Sequence, residues 1–281
     1  MSRRDFGIAL YLVSVFVTAS APCESAERAT VLLKIHNGFP IFTAKIDGKA
    51  VPLAFDLGGD FYLTLSESAL SALNTTPLSQ TYEFSDAKGN ILKSPMFRVG
   101  RIEIGDAAFT DIVGHVDVSH PTYKAQTDGR EGMIGAPFLQ KYKVLLDYVH
   151  REMTLIPGEG AASRDGCAGT EVPFMPEWQG SAVTKATTDA GELTMVWDTG
   201  APLSMIRKGR VQESGLKTEN AIFDSAKFEL EGANFGPLQL RVFDYVEPAG
   251  TDGFIGYTFF EHNVVCIDFP RNRLFVRKPA R

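Results

Sequence analysis

The chain has 281 residues, of which 44% are hydrophobic and 22% charged, with a net charge of −6. That composition describes a globular protein with ample apolar material for one large domain or two lobes. No basic blocks are present, so neither nucleic acid nor an anionic membrane surface is expected as a partner.

The N-terminus reads as a targeting segment. Ser2-Arg3-Arg4-Asp5-Phe6 precedes an uncharged apolar stretch that ends near Ala21-Pro22-Cys23, short for a membrane span. Residues 1–26 are assigned to a signal peptide, and the Ser-Arg-Arg-x-Phe arrangement resembles a twin-arginine export signal. An ordinary secretory signal with two arginines and an uncleaved anchor are the other readings. Export, to a bacterial periplasm, is the expected localisation.

The remainder alternates short apolar runs with turn residues, a dominantly β pattern. Val31 to Ile35 is a strand; Ile41–Ile46 and Ala50–Phe55 flank Asp47-Gly48, a strong hairpin signal. Ser66 is placed to cap a short helix over Glu67 to Leu73. Thr81 to Phe84 and Ile91-Leu92 flank the turn Asp86-Ala87-Lys88-Gly89-Asn90. Phe97–Ile104 and Phe109–Val118 continue the sheet, and Ser119 to Arg130 reads as a surface loop. A helical turn over Phe138–Tyr142 leads into strand Val144–Tyr148, and Pro157 to Gly166 has linker composition. Leu193 to Trp197 is the strand that leads into Asp198.

A repeat organises these elements. Apolar residues precede Asp56-Leu57-Gly58-Gly59, and Met133-Ile134-Gly135 follows with Phe138 and then Asp147-Tyr148. Apolar residues likewise precede Asp198-Thr199-Gly200-Ala201, and Phe254-Ile255-Gly256 follows with Phe259 and then Asp268-Phe269. Asp56 to Asp198 spans 142 positions, whereas Gly135 to Gly256 and Asp147 to Asp268 each span 121, so the second copy is 21 residues shorter between its Asp and its Gly. One carboxylate per repeat, each at a Gly-rich strand end, lets two acids meet across a pseudo-twofold axis.

Asp198-Thr199-Gly200, the matching Asp56-x-Gly58, and the two later apolar-apolar-Gly triplets resemble the aspartic peptidases of the pepsin and retropepsin group over roughly residues 30–277. The resemblance implies an all-β, bilobal fold of two duplicated retropepsin-like β-barrel lobes, at 27–157 and 170–281, joined by a linker at 158–169. It also implies hydrolysis of peptide or unfolded-protein substrates by an Asp56/Asp198 dyad on a bound water, without metal or organic cofactor, in a monomer. Gly58, Gly59, Thr199, Gly200 and Ala201 would support the active-site turns. Ser85, Asp86, Ala87, Lys88 and Gly89 fall where the family carries its substrate-covering flap, and the shorter second copy would carry a truncated one.

The first copy departs from the pattern. Leu57 stands where the family has a second Thr, so either apolar packing replaces half of the interlobe hydrogen-bond network or the dyad is held less rigidly. A peptide-binding homologue that has lost turnover is the alternative reading. Neither Gly59 nor Ala201 offers a side-chain donor, which leaves the dyad titrating high and puts the activity optimum at mildly acidic to near-neutral pH. Cys167 and Cys266 remain after signal removal, as a disulfide or as two buried thiols. The five histidines show no metal-ligand spacing, His115 and His120 read as surface residues, Tyr82 as a strand residue near the flap, and Trp197 as packing beneath the site floor.

Overall fold

The computed structural model describes residues 23–24, 28–85, 91–118, 129–158, 166–177, 180–244 and 250–280. The expected signal segment lies almost wholly outside the described residues, and so do Asp86, Ala87, Lys88, Gly89 and the side chain of Ser85. Cys23–Glu24, assigned above to the signal peptide, pairs as a short strand with Ala108 and Phe109.

Each repeat builds its own sheet around an aspartate-bearing strand. In the first, Lys49–Asp56 is hydrogen-bonded to Phe39–Ile46 on one side, through the hairpin at Asp47-Gly48, and to Gly132–Gly135 on the other. Asp47 and Gly48 both have positive φ, 47° and 80°, the backbone that a two-residue turn between twisted strands requires. Around the sheet follow Leu63–Leu65, Ala107–Val116 and Ile91–Ile104, and the last pairs with Phe39–Ile46 again, which closes a six-stranded barrel. In the second, Gly191–Trp197 lies between Ser181–Thr188 and Gly253–Ile255, with Met205–Arg207 and Leu238–Phe243 beyond. Both repeats use the same parallel contact, apolar-Gly strand beside Asp strand.

A third sheet joins the lobes. Its six strands run Thr170–Pro173, Arg273–Arg277, Val264–Asp268, Tyr142–Asp147, Glu152–Pro157 and Ala29–Leu32, three from each repeat. At its centre Leu145 faces Cys266, Lys143 faces Asp268 and Asp147 faces Val264. These partners interchange under the 121-residue repeat offset, so the pseudo-twofold axis passes through the Leu145–Cys266 pair.

Several boundaries differ from the sequence reading. The strand expected over Val31–Ile35 is two, because buried Leu33 turns the chain from the shared sheet into the first barrel, its N–H donating to the Arg151 carbonyl at 2.7 Å. The helical turn before the central strand spans Ala136–Leu139, starting directly at Gly135 with Pro137 in its first turn. The short helix is Glu67–Ala72, with the Ser66 hydroxyl accepting from the Ala69 N–H at 3.0 Å as the cap pattern requires. Cys167 and Cys266 are disulfide-bonded, with Cα atoms 5.5 Å apart. No helix among the described residues is long and apolar enough to cross a membrane.

Candidate active site

Asp56 ends the strand Lys49–Asp56 and faces Gly135 across the parallel ladder; the Asp198 N–H donates to the carbonyl of Ile255, the residue before Gly256. Beyond each Asp the chain turns back sharply. Gly59 N–H donates to the Asp56 carbonyl at 3.2 Å, and Ala201 N–H donates to the Asp198 carbonyl at 3.3 Å. The turn then crosses the apolar-Gly strand: a Cβ on Gly135 would stand 2.1 Å from the Phe61 carbonyl, and one on Gly256 would stand 2.4 Å from the Leu203 carbonyl. Only glycine permits that crossing, which explains the Gly in each triplet.

The glycine two places after each Asp has a reciprocal task. A Cβ on Gly58 would lie 2.6 Å from the Asp198 carboxyl carbon, and one on Gly200 would lie 2.7 Å from an Asp56 carboxyl oxygen. Each lobe's glycine therefore opens the space occupied by the other lobe's carboxylate. The Gly58 N–H donates to Asp56 Oδ1 at 3.1 Å and the Gly200 N–H to Asp198 Oδ1 at 2.7 Å. Gly59 makes room for the Phe61 ring, 2.6 Å from a Cβ placed there.

The two carboxyls share a hydrogen bond between their side chains. Burial is the main force raising the pKa of both above the ordinary carboxylate range, although each keeps part of its surface open between the lobes. Asp198 is raised further, by burial and then by the negative charge of Asp56 and the hydrogen bond it gives to Asp56. Asp56 is held back by that same bond, by the charge of Arg130 and by the Gly58 and Gly59 N–H groups. The pair accordingly shares one proton over a pH range in which isolated carboxyls are ionised, and its titration belongs to both residues together.

Across the lobe boundary the support is one-sided. The Thr199 hydroxyl, fully buried, donates to the Phe55 carbonyl at 2.7 Å and accepts from the Leu57 N–H at 2.8 Å. Leu57 cannot return the arrangement and instead packs fully buried in the main core. A second link, absent from the sequence reading, comes from buried Ser181, whose hydroxyl donates to the Gly58 carbonyl at 3.2 Å. Trp197 lies fully buried beneath the site, its Nε1–H donating to Thr184 Oγ1 at 3.0 Å.

The hairpin of Thr76–Ser85 and Ile91–Ile104 belongs to the same barrel, with Tyr82 facing Ser94. The Tyr82 hydroxyl donates to Asp60 Oδ1 at 2.8 Å, tying the outer half of the hairpin to the loop after Asp56. His115 corrects the surface assignment: it is 6% exposed, stacked on Tyr82 at 4.4 Å between ring centroids and flanked by Phe61 and Phe84. Its strand pairs with the hairpin on one side and with Leu63–Leu65 on the other, so a side chain on that face is covered. Asp60 and Arg130 were not legible as site residues; the one signal was their short distance in sequence from Asp56 and from the Met133-Ile134-Gly135 triplet. Asp268 is fully buried in the shared sheet near Lys143 and Arg271, and Asp147 accepts from the turn at His150, so both serve structure. Among the described residues no cluster of His, Cys, Asp or Glu is arranged to hold a metal ion.

No family model and no curated protein sequence matches the chain. Among solved structures, the crystal structure of an aspartic proteinase from Irpex lacteus is similar, with a TM-score of 0.63 at 12% identity over 90% of this chain and 98% of that one. The likeness establishes a pepsin-like bilobal barrel fold for this chain.

Proposed function

We propose that the protein is an aspartic-type endopeptidase that hydrolyses peptide bonds in unfolded or extended protein substrates. The observation carrying this reading is the reciprocal seating of Asp56 and Asp198, each in the space left by the other lobe's glycine, with one proton between them. In that state ionised Asp56 takes a proton from a water placed between the carboxyls, while Asp198 donates its proton to the scissile carbonyl oxygen. The water oxygen adds to the carbonyl carbon, giving a neutral tetrahedral diol. Asp56 then returns a proton to the leaving nitrogen as the C–N bond breaks, and Asp198 recovers its proton from the diol. No covalent intermediate is required. The hairpin held by the Tyr82–Asp60 bond acts as a flap that shields this chemistry from bulk water.

We also place the protein outside the cytoplasm. The supports are the N-terminal targeting pattern and the Cys167–Cys266 bond, which persists best in an oxidising compartment.

The test is cleavage of an unfolded-protein mixture from pH 3 to 8 by the purified chain, beside Asp198→Asn and Asp56→Asn. Turnover in the parent that is lost in both variants supports the reading. A folded parent that binds peptides and cleaves none is a binding homologue instead.

A further inference from the structure

The strand beside each Asp strand follows the same repeat as the aspartates themselves. Phe39–Ile46 and Ser181–Thr188 are eight residues each and begin 142 positions apart, the spacing of Asp56 and Asp198. Their registers agree as well, since Ile41 faces Ala54 in the first lobe and Val183 faces Val196 in the second. Ser181 is therefore the counterpart of Phe39. Each stands two residues outside that pair, at the strand end where the aspartate also lies two residues outside it. Phe39 has no side-chain donor and packs with Ile41 and Ala54. Ser181 carries a hydroxyl and is fully buried.

That hydroxyl reaches across the lobe boundary and donates to the Gly58 carbonyl at 3.2 Å. The Gly58 carbonyl and the Gly59 N–H belong to one peptide unit, and the Gly58 and Gly59 N–H groups are the two backbone donors that favour ionised Asp56. A hydrogen bond at the carbonyl end of a peptide polarises the whole unit and makes its N–H the better donor. It also fixes the peptide plane, and with it the direction of the Gly59 N–H. On the other side of Asp56 the Thr199 hydroxyl donates to the Phe55 carbonyl at 2.7 Å, so the second lobe holds the Asp56 turn from both ends. The first lobe does not return this, because the counterparts of Thr199 and Ser181 are Leu57 and Phe39, neither of which carries a hydroxyl. Gly59 has no side chain to donate to Asp56 directly, which leaves that task to the backbone groups Ser181 arranges.

We propose that Ser181 is a positioning residue for hydrolysis, holding the Gly58–Gly59 peptide so that its N–H supports Asp56 while Asp56 takes the proton of the attacking water. The inference rests on the endopeptidase reading. Ser181 touches neither substrate nor the reacting atoms; it acts through one peptide unit of the opposite lobe. Its loss weakens the support of ionised Asp56, so the pair gives up its first proton at higher pH and turnover falls, while the surfaces that bind peptide are unchanged.

The experiment compares the parent with Ser181→Ala, Ser181→Thr and Ser225→Ala on one peptide substrate, reading kcat, KM and the pH profile of kcat/KM, with urea unfolding alongside. Ser225 is the control: it is equally buried and donates to the Lys227 carbonyl at 2.6 Å, on a strand separated from the Asp198 strand by three others. Ser181→Ala should lower kcat about 3–10-fold with KM within about 2-fold of the parent. Its acid limb should move up by about 0.4–1 pH unit. Ser181→Thr keeps the hydroxyl and should restore both; Ser225→Ala should lose stability and match the parent in both. A Ser181→Ala variant with the parent's kcat and pH profile, whatever its stability, overturns the inference and leaves the peptidase reading standing. An equal change in Ser225→Ala does the same, since it would trace the effect to stability alone. A parent that cuts nothing overturns the peptidase reading and the inference with it.

Discussion

Thr199→Val should weaken the junction of the lobes by about 2–4 kcal/mol, because valine keeps the shape of threonine and removes only the hydroxyl that serves both sides. That hydroxyl gives one bond to the Phe55 carbonyl at 2.7 Å and takes one from the Leu57 N–H at 2.8 Å, all in buried surroundings. Leaving a buried backbone group unpaired costs about 1–3 kcal/mol, and two groups lose their partner here. The extra methyl buried by valine returns about 0.8 kcal/mol. In a symmetric site a second threonine would carry part of this load, but Leu57 has no hydroxyl, and the whole cost falls on one residue. Urea unfolding measures it, with an expected fall in midpoint of about 1 M if the slope is about 3 kcal/mol per M. Fully buried Trp197, one residue before Asp198, supplies fluorescence from the floor of the site. Thr199→Ser keeps the hydroxyl and should stay within about 1 kcal/mol of the parent. A valine variant as stable as the serine variant would assign the junction to the shared sheet, Leu57 packing and the Ser181–Gly58 bond instead.

Gly58→Ala and Gly200→Ala should each cost at least about 100-fold in turnover with little change in peptide affinity, since the added Cβ pushes the opposing carboxylate out of place; rates near the parent's would show that the carboxylates need not meet. Asp198→Asn should be more stable than the parent at pH 7 and equal to it near pH 3. The folded pKa of Asp198 is raised, so its protonated form is favoured on folding, and that stability is complete below the unfolded value near 3.8 and lost as pH rises through the folded value. A variant less stable than the parent at pH 7, by thermal melts across that range, would contradict the assigned burial cost. Cys167→Ser should lower stability by about 2–5 kcal/mol, as expected for opening a crosslink between residues 99 apart, and reductant should have no further effect on the variant.

The meeting of two carboxylates was legible in the sequence because close backbone approach leaves a residue signature. Gly58, Gly135, Gly200 and Gly256 sit where any Cβ would collide, so the Asp-x-Gly and apolar-apolar-Gly patterns report geometry directly. The hairpin at Asp47-Gly48 was legible for another reason: nothing crowds Gly48, but both residues take the positive φ that a two-residue turn requires. The shared six-stranded sheet was not, because nothing in Ala29–Leu32 or Thr170–Pro173 marks strands of a common sheet and their partners lie far away in the chain. Leu33 illustrates a related limit: nothing in Val31 to Ile35 marks a change of sheet, and the break follows from a backbone bond to Arg151. Asp60, Tyr82, His115 and Arg130 were hidden because their environment comes from contacts across the barrel. A histidine in a strand carries no sign of whether an aromatic hairpin covers it.

In the peptidase reading Asp56 and Asp198 share one proton and both act in hydrolysis. The pH dependence of kcat/KM on one peptide substrate, with Asp198→Asn measured alongside, tests it most directly. The pair needs one ionised and one protonated member, and burial raises both titrations, so the account expects a bell with its acid limb above the ordinary carboxylate range, a maximum at mildly acidic to near-neutral pH and no turnover in the variant. A maximum below about pH 3, or turnover that survives in Asp198→Asn, would contradict it.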